Sequence, residues 1–328
     1  MGETTGIEWT DHTFNPWRGC TKISEGCAHC YADTASKRNP KVLGVWGPQG
    51  KRVVAADAYW NQALRWNLDA QDAGMRRRVF CASLADVFED WDGPMHRPNG
   101  EVDSRSMDDV RKDLLLLMMA TPSLDWLLLT KRPERMRRFF VDEYRMSTPM
   151  PNVWLGASVE DQKAADERIP ILLDTPAAVR FLSCEPLLGL VDLRLWLNFA
   201  FHQCILPGRT WHRRGERCDA CGEEFPNREP SLDWVIVGGE SGAHARQMDV
   251  EWVRSIRDQC QAAGVAFFFK QWGNWLHLDQ MTADGFRDVD AAHNVAGNSV
   301  MYWNVGKKRA GRFLDEETYS EFPSSPVP

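Results

Sequence analysis

The 328-residue chain has no apolar run approaching the roughly 18 residues that a membrane span needs. Its start, MGETTGIEWTDHTF, lacks the basic flank and apolar stretch of a secretory leader. A basic excess is also missing. Lys and Arg number 39 against 46 Asp and Glu, a net charge of −7, so there is no general footprint for a polyanion. Nor is there an even, scattered set of cysteines: nine occur, in clusters, which argues against a disulfide framework and for metal ligation or redox chemistry. These absences lead to the expectation of a soluble, cytoplasmic protein without membrane contacts, its thiols reduced or metallated.

What is present is a 43% hydrophobic chain, enough for a sizeable core. Apolar runs that end in polar residues recur at 77–86, 124–133, 152–161, 178–187, 232–242 and 265–273. Continuous runs of this kind suit parallel strands covered on both faces. Ile7 to Thr13 supplies one more strand. Helical patterns fall between them at 58–66, 106–121, 132–144, 161–175 and 249–264, the last closing with Gly264 at its C-cap and Asp249 near its start. Repeated βα units predict an α/β fold: a partial or complete (β/α) barrel, with an open doubly wound sheet as the alternative. Most of the fifteen tryptophans are expected in the core. Basic clusters at 76–78, 131–138, 209–217 and 307–312 are expected on solvated faces.

Loops after the C-terminal ends of barrel strands build active sites. That rule selects Asp86, Thr130 with Lys131, Ser158 with Glu160, Ser183 with Glu185, Gly238-Gly239-Glu240-Ser241, and Lys270 with Gln271. Lys270 ends an apolar strand and is the candidate catalytic residue, as a contact to a carboxylate or phosphate; a lysine reaching outward from the rim is the competing reading.

The densest chemistry lies in NPWRGCTKISEGCAHCYADTASKR, where Cys20, Cys27 and Cys30 have C-x6-C-x2-C spacing. Three thiolates fill three corners of a metal centre. A structural zinc would need a fourth ligand, for which His29 and His12 are available. A [4Fe–4S] cluster would keep one iron open for substrate or cofactor. Cys81 is too distant in sequence and reads as an inward strand residue.

The motif resembles that of the radical S-adenosylmethionine (SAM) superfamily, whose usual spacing, C-x3-C-x2-C, has a shorter first gap. Together with FLSCEPLLG, DWVIVGGESG and FFFKQWG, it more closely resembles the phage-associated three-Cys-motif family of unknown function. The resemblance implies a radical SAM-type barrel with Cys20, Cys27 and Cys30 on a [4Fe–4S] cluster. It further implies His29 near the cluster; strand-end position makes Ser158, Glu160, Ser183, Glu185, Gly238, Gly239 and Glu240 the candidate SAM contacts. The resemblance supplies no established substrate; the phage association and the basic residues of the 209–217 stretch motivate a nucleic acid or nucleotide, and an electron donor such as a flavodoxin or ferredoxin is the other expected partner.

An insert, HQCILPGRTWHRRGERCDACGEEFPNREP, interrupts the βα rhythm. Its Cys218-x2-Cys221-Gly222 is a zinc-knuckle pattern that Cys204 and His212 would complete, with His202 as a rival ligand. The expected organisation is barrel at 1–198, zinc insert at 199–230, barrel again at 231–275 and an extension at 276–328. Three function classes follow: a radical SAM enzyme, a zinc-dependent nucleic-acid-binding protein without catalysis, and an iron–sulfur electron carrier or sensor.

Overall fold

The computed structural model describes residues 5–197, 199–203, 209–213, 217–218, 221, 224, 231–281 and 302–324. The chain divides into two compact units. The first is Met1–Ala157 with Thr175–Ala178 and Pro326–Pro328; the second is Ser158–Asp174 with Val179–Ser325.

In the first unit, strands β1 (His12–Phe14), β2 (Arg77–Cys81), β3 (Leu124–Thr130) and β4 (Val153–Ser158) run parallel, each pairing with the next in chain order. Register aligns Phe14 with Cys81, Cys81 with Leu128 and Leu128 with Leu155. Helices α1 (Tyr31–Arg38), α2 (Asp57–Asp72), α3 (Met107–Ala120) and α4 (Pro133–Arg137) follow the sequence between strands. The strands form because their residues are apolar on both faces: Trp126, Leu127 and Leu128 are completely buried, and each leucine contributes about 2 kcal/mol by leaving water. Helix α3 starts where Ser106 and Asp109 satisfy each other's backbone N–H groups in a capping box.

Two sequence expectations change here. The strand expected at 7–13 is confined to His12–Phe14, because Thr10 turns its hydroxyl onto the carbonyls of His12 and Arg78 instead of extending the ladder. The helix expected over 132–144 is α-helical only to Arg137, then widens into a π turn over Arg138–Glu143. The wider turn accompanies the burial of adjacent Phe139 and Phe140, both of which pack near Phe88.

In the second unit, α5 (Gln162–Leu173) precedes strands β5 (Val179–Cys184), β6 (Trp234–Gly238) and β7 (Ala266–Gln271), which are parallel, with helix α6 (Val250–Ala263) leading from β6 to β7. Asp249 caps α6 by accepting from Glu251 N, and Gly264 ends it in the left-handed region at φ +68°, as the sequence pattern predicts. The segment at 312–322 covers the edge of β7: Phe269 N donates to Tyr319 O and Glu321 N to Phe267 O. A covered edge does not recruit foreign strands. Residues 199–203 and 209–213 form an antiparallel pair.

Parallel strands alternating with helices make the architecture α/β in both units, which excludes segregated α+β. No helix among the described residues is long and apolar enough to cross a membrane.

Candidate metal centre

The cysteine loop begins directly after β1. Asn15, fully buried, accepts from Leu84 N at 2.7 Å and donates to Ser83 Oγ at 3.1 Å, so the chain leaves the strand anchored to the end of β2. Gly19 has φ +105°, and a Cβ there would lie 2.6 Å from Lys51 O; only glycine fits. Cys20 follows, buried, with its carbonyl accepting from Gly47 N at 2.9 Å. Cys27 ends a 3-10 turn, and Cys30 precedes α1 in the N-cap position, its N–H donating to Cys27 O at 3.3 Å. Lys22 closes the loop by donating to Ala28 O at 2.9 Å and pairing with Asp33 at 2.9 Å. Cys20, Cys27 and Cys30 are all free thiols.

Their electrostatics differ. Burial pushes the Cys20 thiol pKa up, with Asp86 and Glu89 adding to the rise, while Arg132 opposes it. Burial also raises Cys30, but the N–H groups of Asp33 and Ala32 at the start of α1, and Lys131, favour its thiolate. Cys27 acts on Cys30 as a neighbouring like charge, which places these two thiols in one environment.

Around the loop runs a buried ionic scaffold that sequence reading did not assemble. Arg52, with no exposed surface, donates twice to Glu89 at 2.7 Å, to Thr21 Oγ1 at 2.8 Å, and stands 4.0 Å over the Trp91 ring. Asp86, in the loop after β2, binds Arg132. Here the solvated-face expectation fails: the Arg132 side chain is 14% exposed and that of Arg135 3%, because carboxylates from the β2 loop and from α3 reach them. The sequence signal was the Asp and Glu residues in ADVFEDWD, which balance that basic run.

In the second unit the strand-end residues separate into spent and unspent groups. Ser158 is buried, and its carbonyl accepts from Arg168 at 2.7 Å; Glu160 accepts from the same arginine at 2.8 and 3.3 Å. Glu240 is bound by Arg246 through Nε, Nη2 and the backbone N–H, at 2.7–2.9 Å. Gly239 owes its identity to packing, since a Cβ would stand 1.9 Å from Trp272 O. Glu185 is different. Its Oε2 accepts from Lys270 Nζ at 2.5 Å, yet its Oε1 is buried without a hydrogen-bond partner, and Gly238 leaves room beside it: a Cβ there would come within 3.2 Å of Glu185 Cγ. Ser183 is buried on β5, in register with Ile236. Lys270 is thus committed to Glu185, an orienting contact.

His29 lies in the first unit, half-buried between Cys27 and Cys30. In the insert, Cys218 is buried and Cys221 exposed, neither in a disulfide, and an antiparallel bridge joins Arg217 to Glu224. His212 stands in the strand 209–213, and His202 in 199–203. Cys204 lies outside the described residues. Among the described residues, no three His, Cys, Asp or Glu side chains converge closely enough to hold a single ion.

Fold and thiols together define an α/β protein with a free three-cysteine loop after its first strand. The chain belongs to the DUF5131 family, described as proteins of unknown function, whose model matches residues 4–323. No curated protein and no solved structure matches the chain. The family description carries no activity, so neither the phage association nor radical SAM chemistry is established by it.

Proposed function

We propose that Cys20, Cys27 and Cys30 hold a [4Fe–4S] cluster with one open iron, and that the protein is a radical SAM-type enzyme acting on a nucleic acid or nucleotide. The observation that carries this reading is the free C-x6-C-x2-C loop on the first βα connection of a parallel α/β chain, set among cations. A cluster held there would supply the electron that breaks the 5′ C–S bond of SAM, leaving methionine and a 5′-deoxyadenosyl radical able to take a hydrogen atom from the substrate. The electron comes from a donor such as a flavodoxin or ferredoxin.

The chain's own groups have definable parts. Arg132 and Lys131 offset negative charge at Cys20 and Cys30. Glu185 is the acidic contact best suited to the amino group of SAM, since its Oε1 still has a hydrogen bond to accept and Lys270 fixes its other oxygen. Glu160 and Glu240 hold their loops in shape through Arg168 and Arg246. The insert is proposed to hold structural zinc through Cys218 and Cys221, with Cys204 and His212 as the remaining ligands. Its arginines motivate the nucleic-acid substrate class.

One anaerobic preparation tests the reading. Iron and sulfide at the cysteine loop, zinc at the insert, and 5′-deoxyadenosine on adding SAM and reductant support it. Zinc at both sites without iron supports the nucleic-acid-binding class instead, and iron without SAM turnover the electron carrier or sensor.

A further inference from the structure

Arg132 meets the cysteine loop from 112 positions away in the chain. Its Nη1 lies 3.8 Å from Cys20 Sγ and 2.9 Å from Asp86 Oδ2, while Nη2 donates to Thr21 O at 2.8 Å. The guanidinium is itself held in place. Asp86 also accepts from Thr130 Oγ1 at 2.7 Å, Phe88 N at 2.9 Å and Lys131 N at 3.1 Å, so its carboxylate has little freedom to turn. On the opposite flank, Gly47 N holds the Cys20 carbonyl at 2.9 Å and Arg52 holds the Thr21 hydroxyl at 2.8 Å. Cys20 is therefore fixed on both sides; its thiol donates to Thr21 O at 3.5 Å, and Arg132 is the cation that addresses its sulfur. Burial works against the charge on Arg132, but Asp86, Cys20 and Glu89 more than offset it, and the guanidinium stays protonated.

We propose that Arg132 is a positioning residue of the cluster site: it orients Cys20 for ligation and donates an N–H to its sulfur, making the cluster easier to reduce. The inference rests on the [4Fe–4S] reading above. One-electron reduction adds a negative charge to the cluster, and hydrogen bonds to ligating sulfurs stabilise that form. Only a planar fork can serve the sulfur, Asp86 and Thr21 together; a lysine keeps the charge but not the three directions.

The test compares wild type with Arg132→Gln and Arg132→Lys, each checked for folding by circular dichroism. After anaerobic reconstitution, iron per chain is measured, and the reduced fraction is followed by electron paramagnetic resonance as dithionite lowers the solution potential. Where wild type is half reduced, the reduced-to-oxidised ratio should fall at least tenfold in Arg132→Gln and by less in Arg132→Lys. A ratio within twofold of wild type, at full iron content, overturns the inference while leaving the cluster reading intact. Should Arg132→Gln not fold, a threefold fall in Arg132→Lys is the expected result, and no fall overturns the proposal. Alkylation of Cys20 in the iron-free protein supplies a readout independent of the cluster: with the guanidinium that favours the thiolate gone, it should slow at least tenfold in Arg132→Gln, and threefold in Arg132→Lys, which keeps the charge but not the direction. An unchanged rate removes the positioning role. A wild-type protein that takes up no iron overturns the cluster reading, and this inference with it, whatever the alkylation rates.

Discussion

The cysteine loop of the first unit and the glutamate loops of the second are both strand-end sites, but their charges are spent differently. Around the loop, cations face thiols that have valence left: Arg132 addresses the Cys20 sulfur, and Lys131 acts on Cys30. In the second unit, Glu160 and Glu240 are neutralised by Arg168 and Arg246, and Glu185 alone of the three combines a paired oxygen with a buried, unpartnered one. A polar residue after a strand is common in any βα protein. An unspent hydrogen-bonding group held rigidly in that position costs stability, and function is a reason to retain it.

The largest expected effect breaks the first side of the comparison. Replacing Cys20, Cys27 or Cys30 by alanine should abolish cluster assembly and 5′-deoxyadenosine formation, read as loss of iron, sulfide and brown colour. Cys81→Ala should leave all three, because Cys81 is completely buried on β2 and acts as a small apolar side chain. Full iron content in any of the three loop variants would remove that residue from the ligand set.

Next in size is the insert. Cys218→Ser should release about one zinc per chain and raise protease sensitivity between 200 and 230, because a structural ion contributes directly to local folding. It should not change the iron content. Zinc retained by the variant would reject the knuckle.

The two sites were unequally legible in sequence. Strands β2 to β7 announced themselves as continuous apolar runs because both of their faces are buried, and the cysteine spacing needs no tertiary information. What the loop is built upon was hidden: Arg52, Glu89 and Arg132 come from three separate stretches, and a lone arginine after a strand carries no mark of which carboxylate will bury it. The same holds in the second unit, where S-x-E repeats at Ser158 and Ser183 but only the fold gives Glu160 an arginine partner and leaves Glu185 an open oxygen. The GGE run was legible as a motif, yet Gly239 serves the close approach of Trp272.

That division between glutamates gives the third prediction. Glu185→Gln should weaken SAM binding by about tenfold, the equivalent of one hydrogen bond to a charged group, and also lower the melting temperature as Lys270 loses its charged partner. Glu240→Gln should show the second effect without the first: a loss of about 1–2 kcal/mol in stability, as Arg246 loses its charged partner, with SAM affinity near wild type. Calorimetric titration with SAM and thermal denaturation read the two effects. Equal loss of affinity in both variants would erase the distinction between spent and unspent carboxylates.

The smallest effect compares the units through acid. In the first, the two N–H donors and charge of Arg105 hold the Asp103 carboxyl at about 2, against an ordinary 3.8. In the second, Arg254 is the main cause, with Gln280 and Arg257, that holds Asp315 lower still. A carboxyl whose pKa is depressed by folding contributes stability that is fully present above about pH 4 and is lost as pH falls through the folded value. Both contributions should therefore be intact at neutrality and fade below pH 4. The turn at 95–105 should loosen first, and the C-terminal segment that covers β7 at lower pH. Hydrogen exchange between pH 4 and 2 should follow that order, and Asp103→Asn and Asp315→Asn should each flatten the acid dependence of their own segment. Simultaneous loosening of both segments above pH 4 would show that carboxylates elsewhere control acid stability, and that these two arginine clusters do not set it.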